Sequence, residues 1–355
     1  MGKKSKKKEQ DTVSRKESHV ELVATGDVAF RNTTNGFDNL RFVHNALPEI
    51  GLGDIDISTQ FFGKHLDSPI LISSMTGGYP NALDINRELA SVAKEYHLAI
   101  GIGSARQAME DKSQHASYKI VRKTHPEGLV FSNVGAVEIA RLGEERKIKK
   151  LKVIIDLIQA DALIVHLNPL QELMQPEGST DFKGVFAGIE AAVTELGVPI
   201  IVKEVGAGIS VEVAKKLLNV GVRAIDVAGA GGTSWAGVEI LRHRKKDRDA
   251  LEPFWDWGIP TADALIEIAK LKDTATFGLI ASGGIRNGLD VAKSLTLRAD
   301  LVGFARPLLL ALTEGGREKL KETLETVLIQ LRYCMLLTGS RDLAALSRQQ
   351  LEKLN

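Results

Sequence analysis

The chain has 355 residues, 44% hydrophobic and 26% charged, the composition of an ordinary soluble globular protein with room for one large α/β barrel or two average domains. A formal net charge of +1 argues against a general nucleic-acid binder. A single cysteine excludes an intrachain disulfide framework and a cysteine-only metal site, as fits a reducing cytosol, and no apolar run approaches the ~18–20 residues that span a bilayer.

The chain opens on Met1-Gly2-Lys3-Lys4-Ser5-Lys6, which is basic but has no apolar stretch behind it, so it is not a secretory signal. Lys6 stands where a myristoylation site needs Ser or Thr. Residues 1–14 are expected to be a disordered basic tail, with residues 15–68 as an extension ahead of the fold. From residue 69 to 345, short apolar runs alternate with amphipathic stretches. The runs are Ile70–Ser74, Ala99–Gly103, Leu129–Asn133, Ala162–Leu167, Ile200–Glu204, Ala224–Ala228, Phe277–Ala281 and Leu301–Phe304. Most lack polar alternation, as parallel strands buried on both faces do.

Between these runs the 3.6-residue pattern predicts helices over Asn81–Tyr96, Val185–Leu196, Val211–Asn219, Ala262–Leu271 and Leu289–Leu297. Ser210 and Thr261 stand where N-caps belong. Eight strand–helix beats over about 240 residues predict a (β/α)₈ TIM barrel with an N-terminal extension. The alternative, an open doubly wound sheet, would carry a glycine fingerprint at its first turn that this chain lacks. Leu241–Gly258, with Trp255 and Trp257, is a long excursion that could be a lid or a solvated loop. Lys319–Leu337 reads as a long helix carrying Cys334 as a packing residue.

Barrel sites lie at the C-terminal ends of the strands. Those ends read Ser73-Ser74-Met75-Thr76-Gly77, Ser104-Ala105-Arg106, Ser132-Asn133 and His166-Leu167-Asn168-Pro169-Leu170-Gln171-Glu172 for the first four. The last four give Lys203-Glu204, Gly231-Gly232-Thr233, Ser282-Gly283-Gly284 and Phe304-Ala305-Arg306. Consecutive glycines after strand seven, and Ala305 after strand eight, suit backbone N–H groups converging on a phosphate. Lys203 could be a Schiff-base nucleophile, a salt-bridge partner of Glu204 or another acid, or a cation beside a cofactor. With a phosphate site opposite, a lysine stabilising a reduced flavin ring uses both facts. His166 is a candidate acid or base, and Glu172 is a single carboxylate that could share Mg²⁺ with substrate phosphates.

Together these strand ends resemble the type 2 isopentenyl-diphosphate delta-isomerases, FMN-dependent barrel enzymes. The resemblance runs from Arg15-Lys16 to about Leu343. It is carried by Ser-Met-Thr-Gly-Gly at 74–78, His-Leu-Asn-Pro-Leu-Gln-Glu at 166–172, Val-Lys-Glu-Val-Gly at 202–206 and Ala-Gly-Gly-Thr-Ser-Trp at 230–235. It implies FMN contacts at Ser74, Met75, Thr76, Gly77, Ser104, Asn133, Lys203 and Thr233, with the FMN phosphate on Gly283, Gly284, Ala305 and Arg306. It implies a substrate site of Arg15, Lys16, Ser104, Arg106, His166, Asn168 and Gln171, with Glu172 on Mg²⁺. The extension at 15–68 then contributes to substrate binding. Ala105 and Ala228 replace the Gln and Ser found in many members, so side-chain contacts there are lost or replaced.

The implied reaction converts isopentenyl diphosphate to dimethylallyl diphosphate by removing a proton from C2 and adding one at C4. Reduced FMN, with N5 as proton donor or acceptor, would act beside Gln171 and His166, and NADPH would serve only to keep the flavin reduced. A cytoplasmic homo-oligomer, tetramer or octamer, is expected, with a small-molecule isoprenoid diphosphate as substrate and neither nucleic acid nor membrane as partner. Two alternatives stand beside it. An FMN-dependent 2-hydroxy-acid oxidase would need a histidine base near strand seven, which Ser282–Arg286 lacks. A non-catalytic flavin-binding protein would have no use for Arg106, Gln171 or Glu172.

Overall fold

The structure, a computed structural model, describes residues 18–19, 21–23, 25–79 and 81–354. Its centre is a closed barrel of eight parallel strands: β1 Ile70–Ile72, β2 Ala99–Gly101, β3 Val130–Gly135, β4 Ala162–His166, β5 Ile200–Lys203, β6 Ala224–Asp226, β7 Gly278–Ala281 and β8 Leu301–Phe304. Each strand pairs with its sequence neighbour, and β8 closes on β1. The open-sheet alternative is thereby set aside.

The unbroken apolar runs follow from two buried faces. Outward positions such as Ile70, Ile72, Ile100, Leu163, Val165 and Val302 pack with the helices in one large core. Inward positions Leu71, Phe131, Ile164, Ile201, Ala224, Ile280 and Leu301 form a second cluster inside the barrel. Removing both faces from water is the main stabilising term, and it leaves no polar alternation to read.

The outer helices are α1 Ala82–Glu95, α2 His115–Thr124, α3 Ala136–Glu144, α4 Val185–Glu195, α5 Val211–Asn219, α6 Thr261–Ala269, α7 Gly288–Thr296 and α8 Arg306–Leu337. Ser210 caps α5 by accepting the Val213 N–H at 3.4 Å. Thr261 is not a cap: Pro260 holds that position, and the Thr261 hydroxyl donates to the Gly283 carbonyl at 2.6 Å. Helix α8 begins well before Lys319 and breaks at Gly315-Gly316, where Gly316 has φ +67°. Cys334 is half-buried on α8, and burial pushes its thiol up to about 11.

Segments before β1 reach both ends of the barrel. The hairpin Thr59–Phe61 with Lys64–Leu66 closes the N-terminal end, where the buried Phe61 ring joins the inner cluster 6.4 Å from Phe131. Residues 28–35 run across the other end, with Phe30 N–H on the Gly232 carbonyl at 3.0 Å and Ser234 N–H on the Val28 carbonyl at 2.7 Å. Strand Leu40–Phe42 pairs antiparallel with Leu351–Lys353. The Leu241–Gly258 excursion packs on residues 28–33: Trp255 is buried under the Arg31 guanidinium at 3.7 Å, while Trp257 is exposed. No helix of the described residues is long and apolar enough to cross a membrane.

Candidate active site

Side chains alternate across a strand, so the next inward position lies two residues on. One step beyond the apolar inner layer, that position becomes Ser73, Asn133, His166, Lys203, Asp226 and Ser282. Burying such a layer is unfavourable unless its groups are hydrogen-bonded. His166 Nδ1 lies 2.7 Å from Asn133 Oδ1. Lys203 Nζ lies 3.5 Å from Asp226 Oδ2, and Ser282 donates to Asp226 Oδ1 at 2.6 Å. The lysine's acid is therefore Asp226 on β6. Glu204 instead accepts the N–H groups of Val205, Gly206 and Ala207 at 2.6–2.7 Å. Burial pushes the Glu204 acid above the usual carboxylate range, against the pull of those three bonds. The hydroxyls of Ser73 and Ser74 are buried with no partner among the described residues.

One wall of the mouth follows β4. Pro169 opens the short helix Pro169–Met174, whose first turn carries Gln171 and Glu172. The Asn168 amide donates to Gln171 Oε1 at 3.2 Å and Glu172 Oε1 at 3.3 Å, while Glu172 Oε2 accepts the Ser179 N–H at 2.8 Å. Gln171 Nε2 donates to Glu239 Oε1 at 3.0 Å. Glu239 lies on the helix Trp235–Arg242, fully buried, with His19 at 2.9 Å and Arg242 at 2.6 Å. Burial alone would raise its acid. The bonds from His19, Gln171 and Arg242 together hold it below the usual carboxylate range.

The opposite wall is made of glycine. Gly283 and Gly284 have φ +98° and +69°, the left-handed region that side chains disfavour. A Cβ on Gly232 would lie 2.5 Å from the Gly284 nitrogen, so the loops after β6 and β7 stack backbone to backbone. Beside them α8 starts at Arg306, and Ala305 offers no side-chain cap. The Arg306 guanidinium is turned away, donating to the Val23 carbonyl at 2.8 Å and the Gly26 carbonyl at 3.3 Å. What Arg306 brings to this wall is its backbone. Ala228, just past β6, is buried with φ +37°, a strained conformation for a residue with a Cβ.

The remaining predicted residues sit around the same rim. Met75 packs with Val23, Val28 and Leu309, and the Thr76 hydroxyl donates to Asn86 at 2.5 Å. Gly77 follows directly, and the Ser104 carbonyl accepts the Tyr118 hydroxyl at 2.9 Å. Arg106 begins the helix Arg106–Glu110. Thr233 bridges to Ala29. Arg15 and Lys16 lie outside the described residues.

A glycine cradle facing a polar floor at the C-terminal end of an eight-stranded barrel narrows the comparison. The sequence matches the FMN-dependent dehydrogenase family over residues 10–126 and 170–353. The chain belongs to this family. An isopentenyl-diphosphate delta-isomerase of Chlorobium phaeovibrioides is 46% identical over 349 residues, 96% of either chain. Another from Nostoc sp. is 46% identical over 333 residues, covering 94% of this chain and 93% of that one. Within the FMN-dependent family the chain therefore groups with the type 2 isopentenyl-diphosphate delta-isomerases. The solved structures it resembles are more distant and share the fold. A flavocytochrome b2 variant with sulfite bound gives a TM-score of 0.70 at 19% identity, covering 94% of this chain and 82% of that one. A mandelate oxidase variant with benzaldehyde gives 0.67 at 17%, covering 97% and 98%.

For a member of this family, sequence reading had missed Asp226 and Glu239. Asp226 sits inside a run read as plain strand, and Glu239 inside an amphipathic helix. An acid at the last inward position of β6, two residues past Ala224, was the available signal for the first. For Glu239 the contact with Gln171 spans 68 positions, and no local pattern announces it.

Proposed function

We propose that this protein converts isopentenyl diphosphate to dimethylallyl diphosphate with reduced FMN held at the barrel mouth. The observation that carries this reading is the Gln171–Glu239 pair on one wall and the glycine cradle on the other, in a chain 46% identical to enzymes of that name. The site fits FMN. Its glycine loops leave no room for a Cβ where a phosphate would meet backbone N–H groups, and the buried Ser74 hydroxyl lacks a partner among the described residues. FMN's phosphate would be held by the backbone of Gly283, Gly284, Ala305 and Arg306, and its ring by Ser74, Met75, Thr76, Gly77, Ser104, Asn133, Lys203 and Thr233. Bound and reduced, FMN supplies an electron-rich surface and a group able to exchange a proton.

The protein's own residues supply the rest. Lys203, anchored on Asp226, places a positive charge at the floor, where it favours the anionic form of a reduced cofactor. Gln171 positions the substrate's reacting carbons and is itself oriented by Glu239, a buried carboxylate that accepts its amide N–H and fixes which way the amide faces. His166, fixed by Asn133, lines the pocket beside Asn168. Protonating an alkene makes a tertiary cation, so the site must keep water out, and the layer of residues 28–35 with Trp255 covers one side.

Arg15, Lys16, Ser104 and Arg106 would bind the diphosphate, which places binding energy away from the reacting carbons, with Gln171 at the junction between the two ends of the substrate. Glu172 fits Mg²⁺ only as a shared ligand: no group of three metal-ligating side chains stands among the described residues, so substrate oxygens and water must complete the shell. We further assign NADPH as the source of electrons for the flavin. The division into a basic tail (1–14), a substrate-binding extension (15–68) and a barrel (69–345), a tetrameric or octameric assembly and a cytoplasmic location complete the proposal. The test is an assay of the purified protein with isopentenyl diphosphate, FMN and Mg²⁺, with and without dithionite or NADPH. Product formation only with reduced flavin is expected. No product under reducing conditions, or full turnover without flavin, contradicts the reading.

A further inference from the structure

Asn35, in the segment before the barrel, is buried to 2% exposure, yet its amide nitrogen is not spent on its own segment. Nδ2 donates to the Gly284 carbonyl at 2.6 Å and lies 3.3 Å from Asp290 Oδ2. Oδ1 accepts the Phe37 N–H at 3.1 Å, and the Asn35 carbonyl accepts the Ala262 N–H at 2.9 Å. From this we propose that Asn35 is a positioning residue for the cofactor phosphate, bracing the Gly283-Gly284 loop from behind. The inference rests on the reading of that loop as the phosphate cradle.

Two consecutive glycines have more backbone freedom than any other pair, and a loop that presents N–H groups in fixed directions needs an outside constraint. The constraint acts on the carbonyls. In a planar trans peptide the C=O of one residue and the N–H of the next point to opposite sides. The Thr261 hydroxyl holds the Gly283 carbonyl at 2.6 Å and so turns the Gly284 N–H away from itself. Asn35 holds the Gly284 carbonyl in the same manner and turns the Ile285 N–H away. The brace is itself fixed. Asp290, 1% exposed, accepts from the Arg286 backbone N–H at 3.1 Å and from Arg286 Nε at 2.9 Å. Arg286 also grips Asp38 at 2.8 Å, three residues from Asn35. On its other side, a Cβ on Gly231 would collide with the backbone of Thr34 and Asn35. The segment thus touches both glycine loops, and a buried polar side chain whose bonds run to loop backbone serves loop geometry rather than core packing.

The full-length chain freed of flavin is titrated with FMN and, separately, with riboflavin, which keeps the ring and lacks the phosphate. The variants are Asn35→Ala and Asn35→Ser. The serine is too short to reach Gly284 but keeps an acceptor for the Phe37 N–H, so the local turn survives. In both variants the FMN dissociation constant is expected to rise roughly tenfold, the scale of a lost buried hydrogen bond, with riboflavin binding changed less than about twofold. Equal weakening toward both ligands would reduce Asn35 to general scaffolding and overturn the proposal. Unchanged FMN affinity in a folded variant would overturn it as well. If the unaltered protein itself fails to prefer FMN over riboflavin, the phosphate-cradle reading falls first, and the proposal with it.

Discussion

Lys203, Asp226 and Ser282 illustrate how one step along a strand turns core into chemistry. Each follows an apolar inward residue of its own strand by two positions, and Asp226 joins the other two. The same economy governs Gln171, whose amide meets Asn168 on one side and Glu239 on the other. Replacing it by an apolar residue, Gln171→Leu, should leave FMN binding intact and lower kcat by about 10²-fold or more, as steady-state assays on flavin-loaded protein would read. Glu239 carries a pH signature. Its folded-state acid is held below the ordinary carboxylate value of ~4.3, so the stability it contributes is present above that value and is lost as pH falls through the folded one. Glu239→Gln should therefore be less stable than the unaltered protein at pH 7 by on the order of 1–3 kcal/mol. Urea denaturation should show the gap closing as pH drops below about 4. A gap that stays constant across this range would deny the carboxylate its role.

At the scale of elements, the loops after β6 and β7 are held by contacts that no side chain could share. Gly283→Ala adds a Cβ that would collide with the Gly229 carbonyl, at a φ of +98°. The variant should lose most of its FMN affinity, read by fluorescence titration, and melt at a lower temperature, because strain and clash act together. Strands were the most legible elements. The eight apolar runs coincide with the eight barrel strands to within about two residues, since double burial leaves a continuous hydrophobic signal. Helix ends were less so. Thr261 has the residue type of a cap, but a carbonyl from β7's loop captures its hydroxyl. Its tertiary partner, absent from any local window, decided the outcome. The break in α8 at Gly315-Gly316 was likewise hidden inside a stretch not assigned to that helix.

The whole molecule separates stability from chemistry along the barrel axis. Phe61 plugs the N-terminal end against Phe131, while the polar floor and both walls lie at the other. Phe61→Ala should cost about 3–5 kcal/mol of stability in urea denaturation while leaving kcat at low temperature within about twofold, a large-to-small core change remote from the mouth. A comparable loss of kcat in the folded variant would mean that the two ends are coupled.

How far the site was legible follows from the same geometry. His166, Asn168, Gln171 and Glu172 fall within seven consecutive positions at one strand end and announce themselves. Asn35 and Glu239 reach the mouth only through contacts across the fold, 249 positions apart in the case of Asn35 and Gly284 and 68 for Glu239 and Gln171. The resemblance placed Arg306 at the FMN phosphate, and its guanidinium serves the Val23 and Gly26 carbonyls instead, which leaves its backbone for that wall. Position in a strand-end motif is visible in sequence, whereas the direction of a long side chain is not. The central claim is that this mouth shifts a double bond with reduced flavin. ¹H NMR of isopentenyl diphosphate incubated in D₂O with the protein, FMN, Mg²⁺ and dithionite tests it most directly. Dimethylallyl diphosphate carrying solvent deuterium in its methyl group, formed with reduced FMN and absent with oxidised FMN, is the predicted result. No isomerisation with reduced FMN, or equal rates with oxidised FMN, would contradict it.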